Sequence, residues 1–529
     1  MMATIVTEEE EMMHKGEALP ILSASAKKMR IDKLLAAPLP SYTSSIPGSW
    51  LWTKVAFWMC RRVSAVQFRT TSSSSLTTLK EEGAGTMCCG WHTNGLMDPL
   101  GIFLQHPKEF VVGARHDLVT RPLLGWWTRK LAVQPVVRKA ELLRGGCTEE
   151  EAMHLNGRSL LALSSGIAHG FGCVLFPEGT SHDGSHMIRF KTGPVRTVLA
   201  AAALAKANQL PLPELLPVGL HFRRRELFRT DQYIEFGTPI SLDESMIPSE
   251  MVEAVEQGGW VEPPSETVHA IRDQLQSQLP YMTPNVASWE EHRALHLVAH
   301  LEARQQNTPL NSWEEEVIAA RNVRKAWPGR EEVFPPEPLT DARFEAASEA
   351  AELLDANGLD GRDLDSSGRR LRKANFLSAP LALLKVALFT LLLPVAITSL
   401  GLQVALGRVL GDYTDEGLDA RTSYQFLAAF FGSLLIWPVV AALWTLVIWL
   451  QRVNIGDLLG WTATWLEVSG GSATSGLVLT YLLCFPMFWA SGKTFAWAWD
   501  AWVDARRAWT RRFMKAEDKS RLLTLLESL

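Results

Sequence analysis

No excess of positive charge marks this 529-residue chain, because 52 lysines and arginines face 57 aspartates and glutamates for a formal net charge of −5. A nucleic-acid binder needs a broad basic footprint, so that class is set aside. Cysteine is scarce. The six (Cys60, Cys88, Cys89, Cys147, Cys173, Cys484) lack paired metal-ligand spacing, and reduced, cytosol-facing thiols are the simplest reading. No Gly-x-Ser-x-Gly nucleophile elbow occurs. The opening residues carry an acidic run at 8–11 where a signal or transit peptide would carry positive charge, so membrane targeting is expected from further along. An aspartate-rich segment starting at Asp355 is not a calcium loop, since its sixth position is Asp360 rather than glycine and its twelfth Ser366 rather than glutamate.

What the chain does have is long apolar runs near its C-terminus. Stretches 381–406 and 426–450 each exceed the roughly 20 residues that cross a bilayer as a helix. A third, 476–490, is shorter and contains Pro486, and is expected to be re-entrant or interfacial. Arg362, Arg369, Arg370, Arg372 and Lys373 precede the first run, and Arg506, Arg507, Arg511, Arg512 and Lys515 follow the last. Positive flanks favour the cytosolic side at both ends, which two full crossings satisfy.

Residues 1–45 read as a mobile leader and 46–85 as an interfacial helix and connector, the helix starting at the Trp-rich run from Trp50 to Cys60. Between 86 and 241 short apolar runs (86–90, 110–113, 133–137, 173–176, 215–220, 233–236) alternate with helix-prone segments near 99–105, 123–131, 149–164 and 195–208. The alternation predicts an α/β domain with a largely parallel or mixed sheet. A polar, charged helical arm follows over 242–377, then the membrane region over 378–490 and a basic cytosolic tail over 491–529.

Three constellations carry chemistry. His92 and Asp98 lie six residues apart, too far round one helix to meet, so Asn94-Gly95 must turn the chain between them. Asp98-Pro99 also suits a helix start. A histidine held by a carboxylate can take a proton from a hydroxyl near neutral pH. Second, Phe176-Pro177-Glu178-Gly179-Thr180-Ser181-His182-Asp183 and then Lys191 lie between a strand and a helix, a turn suited to presenting N–H groups and a cation to an anion. His182, Asp183 and His186 do not make a convincing metal site, and none is expected. Third, the strand 134–137 ends in Arg138, whose planar fork of donors matches a phosphate.

In this order the blocks resemble the phospholipid/glycerol acyltransferase family: His92 to Asp98 its first motif, Val136-Val137-Arg138 its second, Phe176-Pro177-Glu178-Gly179 its third and Leu216-Pro217-Val218-Gly219-Leu220 its fourth. The common pattern has four residues between His and Asp and this sequence has five, a departure it shares with a branch resembling glycerol-3-phosphate and dihydroxyacetone-phosphate acyltransferases, which also carries a similar Ser-His-Asp and C-terminal membrane helices. Gly90-Trp91 before the histidine is less usual for the family.

The resemblance implies an acyltransferase domain in which His92 is the general base, Asp98 orients it, and Arg138 with the Glu178-Gly179-Thr180 turn binds glycerol phosphate. Lys191 is a further anion-binding candidate by charge and position. It implies acyl-CoA as co-substrate with no other cofactor, and glycerol 3-phosphate or, as the alternative, a lysophospholipid such as 1-acylglycerol 3-phosphate as acceptor. Membrane lipid is the other expected partner, and the endoplasmic reticulum, with the catalytic domain facing the cytosol, the expected location in a eukaryote. A hydrolase and a non-catalytic scaffold are the rival readings. Cys88 and Cys89 sit in an apolar strand, which disfavours the first, and a scaffold would not need His92, Asp98 and Glu178 together.

Overall fold

The computed structural model describes residues 13–14, 17–18, 29–76, 82–137, 147–259, 261–373, 378–413, 418–451 and 473–529. Its sheet runs β1 (Phe68–Ser73), β8 (Thr230–Phe236), β7 (Glu214–Phe222), β2 (Thr86–Gly90), β6 (Gly172–Val174), β3 (Phe110–Val111) in spatial order, with β9 (Ile240–Ser241) also paired to β7. Strands β7, β2, β6 and β3 are mutually parallel, and β8 turns back antiparallel to β7. The sheet is therefore mixed, as the sequence allowed. Strands β4 (Gly113–Arg115) and β5 (Gln134–Val136) form a separate parallel pair.

Every residue of β2 is buried, so its apolar run faces two cores. Met87 and Cys89 point to the side covered by α3 (Glu149–Ala168) and the alanine-rich α4 (Gly193–Ala207), whereas Cys88 points to the side covered by α2 (Met97–Gln105). A capping box fixes the start of α3: Thr148 Oγ1 accepts from the Glu151 amide at 3.2 Å, and Glu151 returns a carboxylate to the Thr148 amide at 2.8 Å.

The stretch from Ile31, which composition placed in a leader, folds onto this domain: Leu34 is fully buried in a cluster with Val119, Val133 and Leu155. Helix α1 (Trp50–Gln67) extends beyond the Trp-rich run, turning Ala56 and Met59 inward while Trp50, Leu51 and Trp58 stay exposed. The arm contains α5 (Trp289–Gln305), α6 (Trp313–Ala326) and α7 (Ala342–Ala356), tied to the sheet through Arg321–Glu235 and Arg223–Glu316 pairs. Asp360 and Asp363, in the segment that mimics a calcium loop, instead pair with Arg507, and Asp363 also pairs with Arg511.

The apolar region departs from expectation in two ways. The first run is not one continuous helix: it breaks at Leu392 into α8 (Ser378–Leu391) and α9 (Leu393–Asp412), because Pro394 supplies no amide to the preceding helix and suits the first turn of a new one. The third run is not short. It lies in a continuous helix, α11 (Ala473–Phe513), that passes through Pro486. Leu393–Asp412, Ala420–Leu450 and Ser475–Phe513 are long and apolar enough to cross a membrane.

Contacts fix the helix directions. Helix α10 (Leu418–Leu450) begins against the catalytic domain at Thr422 and Ser423 and runs away from it. Helix α11 comes back: Phe488 packs on Trp437 at 5.7 Å, then Asp500 and Asp504 pair with Arg229 and Arg69 of the domain. Helix α9 is antiparallel to α10, with Thr398 bonded to Trp444 and Asp412 to Arg421. A last helix, α12 (Ala516–Ser528), packs Leu522 and Leu525 with Leu354 of the arm.

Candidate active site

Two motifs leave the carboxyl ends of neighbouring parallel strands, His92 after β2 and Phe176 to Glu178 after β6, which is where open α/β sheets place their ligands. The fourth motif is β7 itself, registered against β2 with Cys88 opposite Leu216 and Gly90 opposite Val218. Three of the four motifs thus occupy adjacent strands.

Gly95, at φ +44°, makes the turn that returns the chain from His92 to Asp98. His92 Nδ1 then lies 3.0 Å from Asp98 Oδ2, and the same oxygen accepts from the amides of Thr93 and Asn94, each at 2.7 Å. Asp98 is fully buried, while the His92 side chain is 19% exposed. Since Nδ1 faces a carboxylate, it carries the proton, which leaves Nε2 as the acceptor nitrogen. The imidazole stacks on Phe176 at 4.0 Å and 9°, so its plane is fixed as well as its tautomer.

Glu178 is buried and enters the site through the backbone. Its Oε2 accepts from the His92 amide at 2.9 Å, and its Oε1 accepts from His182 Nε2 at 2.7 Å and the Ile188 amide at 2.9 Å. His182 Nδ1 in turn accepts from the Gly184 amide at 3.0 Å, so both ring nitrogens of His182 are engaged. Gly179 turns at φ +71°, and a methyl group there would sit 3.0 Å from Lys191 Nζ, which places that ammonium across the turn. Gly179 and Lys191 are exposed and Thr180 is half-buried. Arg138 lies outside the described residues, although β5, which leads toward it, is anchored where Ser159 Oγ donates to the Pro135 carbonyl at 2.6 Å.

Asp183 and His186 are engaged elsewhere: Asp183 pairs with Arg225 and His186 lies 3.1 Å from the Val286 carbonyl. Burial pushes the Cys173 thiol up to about 12 and also raises those of Cys88 and Cys89, which disfavours the thiolate form of all three.

Sequence reasoning did not single out Arg225. Its guanidinium donates to the carbonyls of Thr93 (3.0 Å) and His182 (3.3 Å) and to Asp183 Oδ1 (2.7 Å), so it clamps the two motif loops together. It also lies 5.3 Å from the ring of Trp289, whose Nε1 donates to the Asp183 carbonyl. The signal was available as three consecutive arginines, Arg223 to Arg225, in the β7–β8 connection, but the partners come from loops more than 40 positions away.

A buried carboxylate thus holds a partly exposed histidine at the strand ends of an α/β domain. Residues 72–218 match the family model described as Acyltransferase, and the chain carries an acyltransferase-family domain over that segment. Over 151 residues it is 28% identical to glycerol-3-phosphate O-acyltransferase 2 of Saccharomyces cerevisiae, an alignment spanning 28% of this chain and 19% of that protein. Over 87 residues it is 36% identical to an uncharacterized acyltransferase of Schizosaccharomyces pombe, covering 16% of this chain and 12% of that one. The chain therefore spans less than a fifth of the length of these curated relatives. Among solved structures it is similar to the 1-acyl-sn-glycerophosphate (LPA) acyltransferase of Thermotoga maritima, at 15% identity and a TM-score of 0.27, over 42% of this chain and 80% of that one.

Proposed function

We propose that this protein is a membrane-bound O-acyltransferase that moves a fatty acyl group from acyl-CoA to a hydroxyl of glycerol 3-phosphate, with dihydroxyacetone phosphate as a further acceptor. The observation that carries the reading is the His92–Asp98 dyad, 3.0 Å apart, beside a turn that carries Lys191. His92 Nε2 takes the proton of the acceptor hydroxyl as its oxygen attacks the thioester carbonyl. Asp98 stabilises the imidazolium that forms. Collapse of the tetrahedral intermediate breaks the carbon–sulfur bond, and the departing thiolate recovers the proton from His92. Glu178 holds the His92 backbone in place, and Gly179, Thr180, Lys191 and Arg138 receive the acceptor's phosphate. No covalent acyl-enzyme and no metal enter these steps.

A lysophospholipid acceptor is the second reading. The contact between α10 and the His92–Asp98 turn favours it, since that acceptor would arrive from the bilayer.

Membranes carrying the full chain, assayed with labelled acyl-CoA and a panel of acceptors, test both. His92→Ala is expected to lose on the order of 100- to 10,000-fold in rate while staying membrane-bound. Arg138→Lys keeps the charge but loses the fork, so KM for glycerol 3-phosphate is expected to rise with little change for acyl-CoA. Near-normal turnover in a well-folded His92→Ala variant overturns the mechanism, and transfer to 1-acylglycerol 3-phosphate alone replaces the first acceptor with the second.

A further inference from the structure

The head of α10 reaches into the catalytic turn. Thr422 Oγ1 donates to Asn94 Oδ1 at 2.5 Å, and the Leu96 amide donates to Ser423 Oγ at 2.9 Å. Thr422 and Asn94 are both almost wholly buried, at 2% and 1% exposure, so this contact is shielded from competing water. Asn94 and Leu96 lie between His92 and Asp98, on the segment whose shape decides whether the imidazole meets its carboxylate.

The direction of the Thr422 hydroxyl is informative. Hydroxyls in apolar helices usually donate to the carbonyl four residues back, and Ser433, Thr445 and Thr480 in α10 and α11 do so at 2.8 Å each. Thr422 donates instead to a side chain more than 300 positions away in sequence. Apolar packing holds the same joint closed: Phe426 and Phe430, one and two turns further along α10, lie in one cluster with Met97 and Leu100 at the start of α2. The Trp127 ring meets Phe430 edge-on at 5.3 Å. Among the described residues the two side-chain bonds from Thr422 and Ser423 are the polar links between α10 and this turn.

We infer that Thr422 and Ser423 are positioning residues for acyl transfer: the apolar helix α10 sets the shape of the His92–Asp98 turn, so that the general base is correctly held only when that helix is seated. This rests on reading His92 as the base. It makes the C-terminal helices part of the catalytic apparatus rather than an anchor alone. Thr422 touches no reacting atom. It acts through Asn94 on the turn, as Ser423 acts through the Leu96 amide, so their loss alters the fraction of enzyme with His92 aligned and not the affinity for either substrate.

The test uses the full chain in membranes with Thr422→Val, which keeps the shape and removes the hydroxyl, Thr422→Ser, which restores it, and Ser423→Ala. Turnover is expected to fall about tenfold in Thr422→Val with KM for acyl-CoA and acceptor within about twofold of wild type, and to recover in Thr422→Ser. In parallel, hydrogen exchange of the peptide spanning 92–98 reads the turn without any substrate. Its amides at Thr93, Asn94 and Leu96 are expected to exchange faster in Thr422→Val and Ser423→Ala than in wild type. Unchanged exchange and wild-type turnover in Thr422→Val overturn the inference, as does a loss of turnover that Thr422→Ser fails to recover. Wild-type membranes inactive with every acceptor would count against the acyltransferase reading instead, while the exchange measurement would still decide whether α10 holds the turn.

Discussion

Asp98 receives three donors on a single oxygen, two of them backbone amides, while its Oδ1 is buried without a hydrogen-bond partner among the described residues. This asymmetry separates its structural role from its electrostatic one. In Asp98→Asn the amide oxygen can take the place of Oδ2 and keep the turn, but the negative charge opposite the imidazolium is gone and an NH2 group replaces Oδ1 where no acceptor lies. An unsatisfied buried donor costs about 1–3 kcal/mol. The expected result is a folded protein with a lower melting temperature and a kcat reduced on the order of 100-fold or more, with KM for acyl-CoA little changed. Equal kcat in the variant would show that the carboxylate only shapes the turn before α2, whose N-cap is Leu96 rather than Asp98. The dyad was legible in the sequence because both residues lie within one short turn. Arg225 and Thr422 were not, because hydrogen bonds between loops distant in the chain leave no local pattern, and a Thr-Ser pair at the head of an apolar run looks like ordinary helix entry. Trp91 explains the less usual Gly90-Trp91 entry: its ring is buried against His182 and Trp289, at 6.5 and 6.1 Å.

At the scale of elements, the strands of the domain were readable as runs of apolar residues, since β2, β6 and β7 are buried on both faces and alternation is lost there. The edge strand β1 was not, because its sequence, Phe-Arg-Thr-Thr-Ser-Ser, shows one buried residue followed by exposed and half-buried ones. Neither was the attachment of the arm. Helices α5 and α6 close on β7 and β8 through a polar layer containing His221, Glu235, His296, His300, Glu316, Arg223 and Arg321.

Within that layer burial pushes Glu235 up, but hydrogen bonds and charge from Arg321 and His221 outweigh it and leave the carboxyl at about 2. Burial likewise raises Glu316, and His300 and Arg223 bring it to about 2. His296 is held at about 3 by burial, with Arg223, His300 and His221 adding to the shift and Glu316 opposing it. Both kinds of group act in one direction. Below about pH 6.5 the unfolded chain takes up a proton at His296 that the folded arm refuses, and below about 4.5 it takes up protons at Glu235 and Glu316 that the folded arm also refuses. Stability is thus lost as pH falls, first through the histidine and then through the carboxylates. A fully shifted histidine contributes at most about 1.4 kcal/mol per pH unit, less for a half-buried ring. The melting temperature is expected to decline from pH 7 to 5, and His296→Phe, which preserves the stack on Trp313 at 5.1 Å, is expected to flatten that decline. A pH-independent melt over this range would remove the layer from the account of how the arm is held.

For the whole molecule, the direction of the apolar helices decides the topology. Two crossings with the tail and the catalytic domain on one side was the expectation from charge, and the ion pairs of Arg507 and Arg511 with Asp363 place tail and arm together. The contacts of the helices lead us to expect different crossings from those hydropathy picked out. Helix α10, at 33 residues and about 50 Å by the α-helical rise, leaves the active site and is long enough for the roughly 30 Å bilayer core, and α11 returns. Helix α9 ends beside the start of α10, with Asp412 and Arg421 paired at 2.9 Å, so we expect the first apolar run to enter through α8 and come back through α9 without crossing. Hydropathy cannot register the break at Leu392, because a broken run and a continuous helix have the same composition and only Pro394 marks it. Labelling with a membrane-impermeant maleimide in sealed membranes separates the two arrangements. Tyr413, which is 84% exposed and lies just beyond α9, is expected as Tyr413→Cys to react without detergent, from the same side as the catalytic domain. Gln451, just beyond α10, is expected as Gln451→Cys to react only once detergent is added. Protection of Tyr413→Cys together with open labelling of Gln451→Cys would mean that the first run crosses the bilayer, and that α10 approaches the active site from the opposite direction to the one its contacts with Asn94 and Leu96 require.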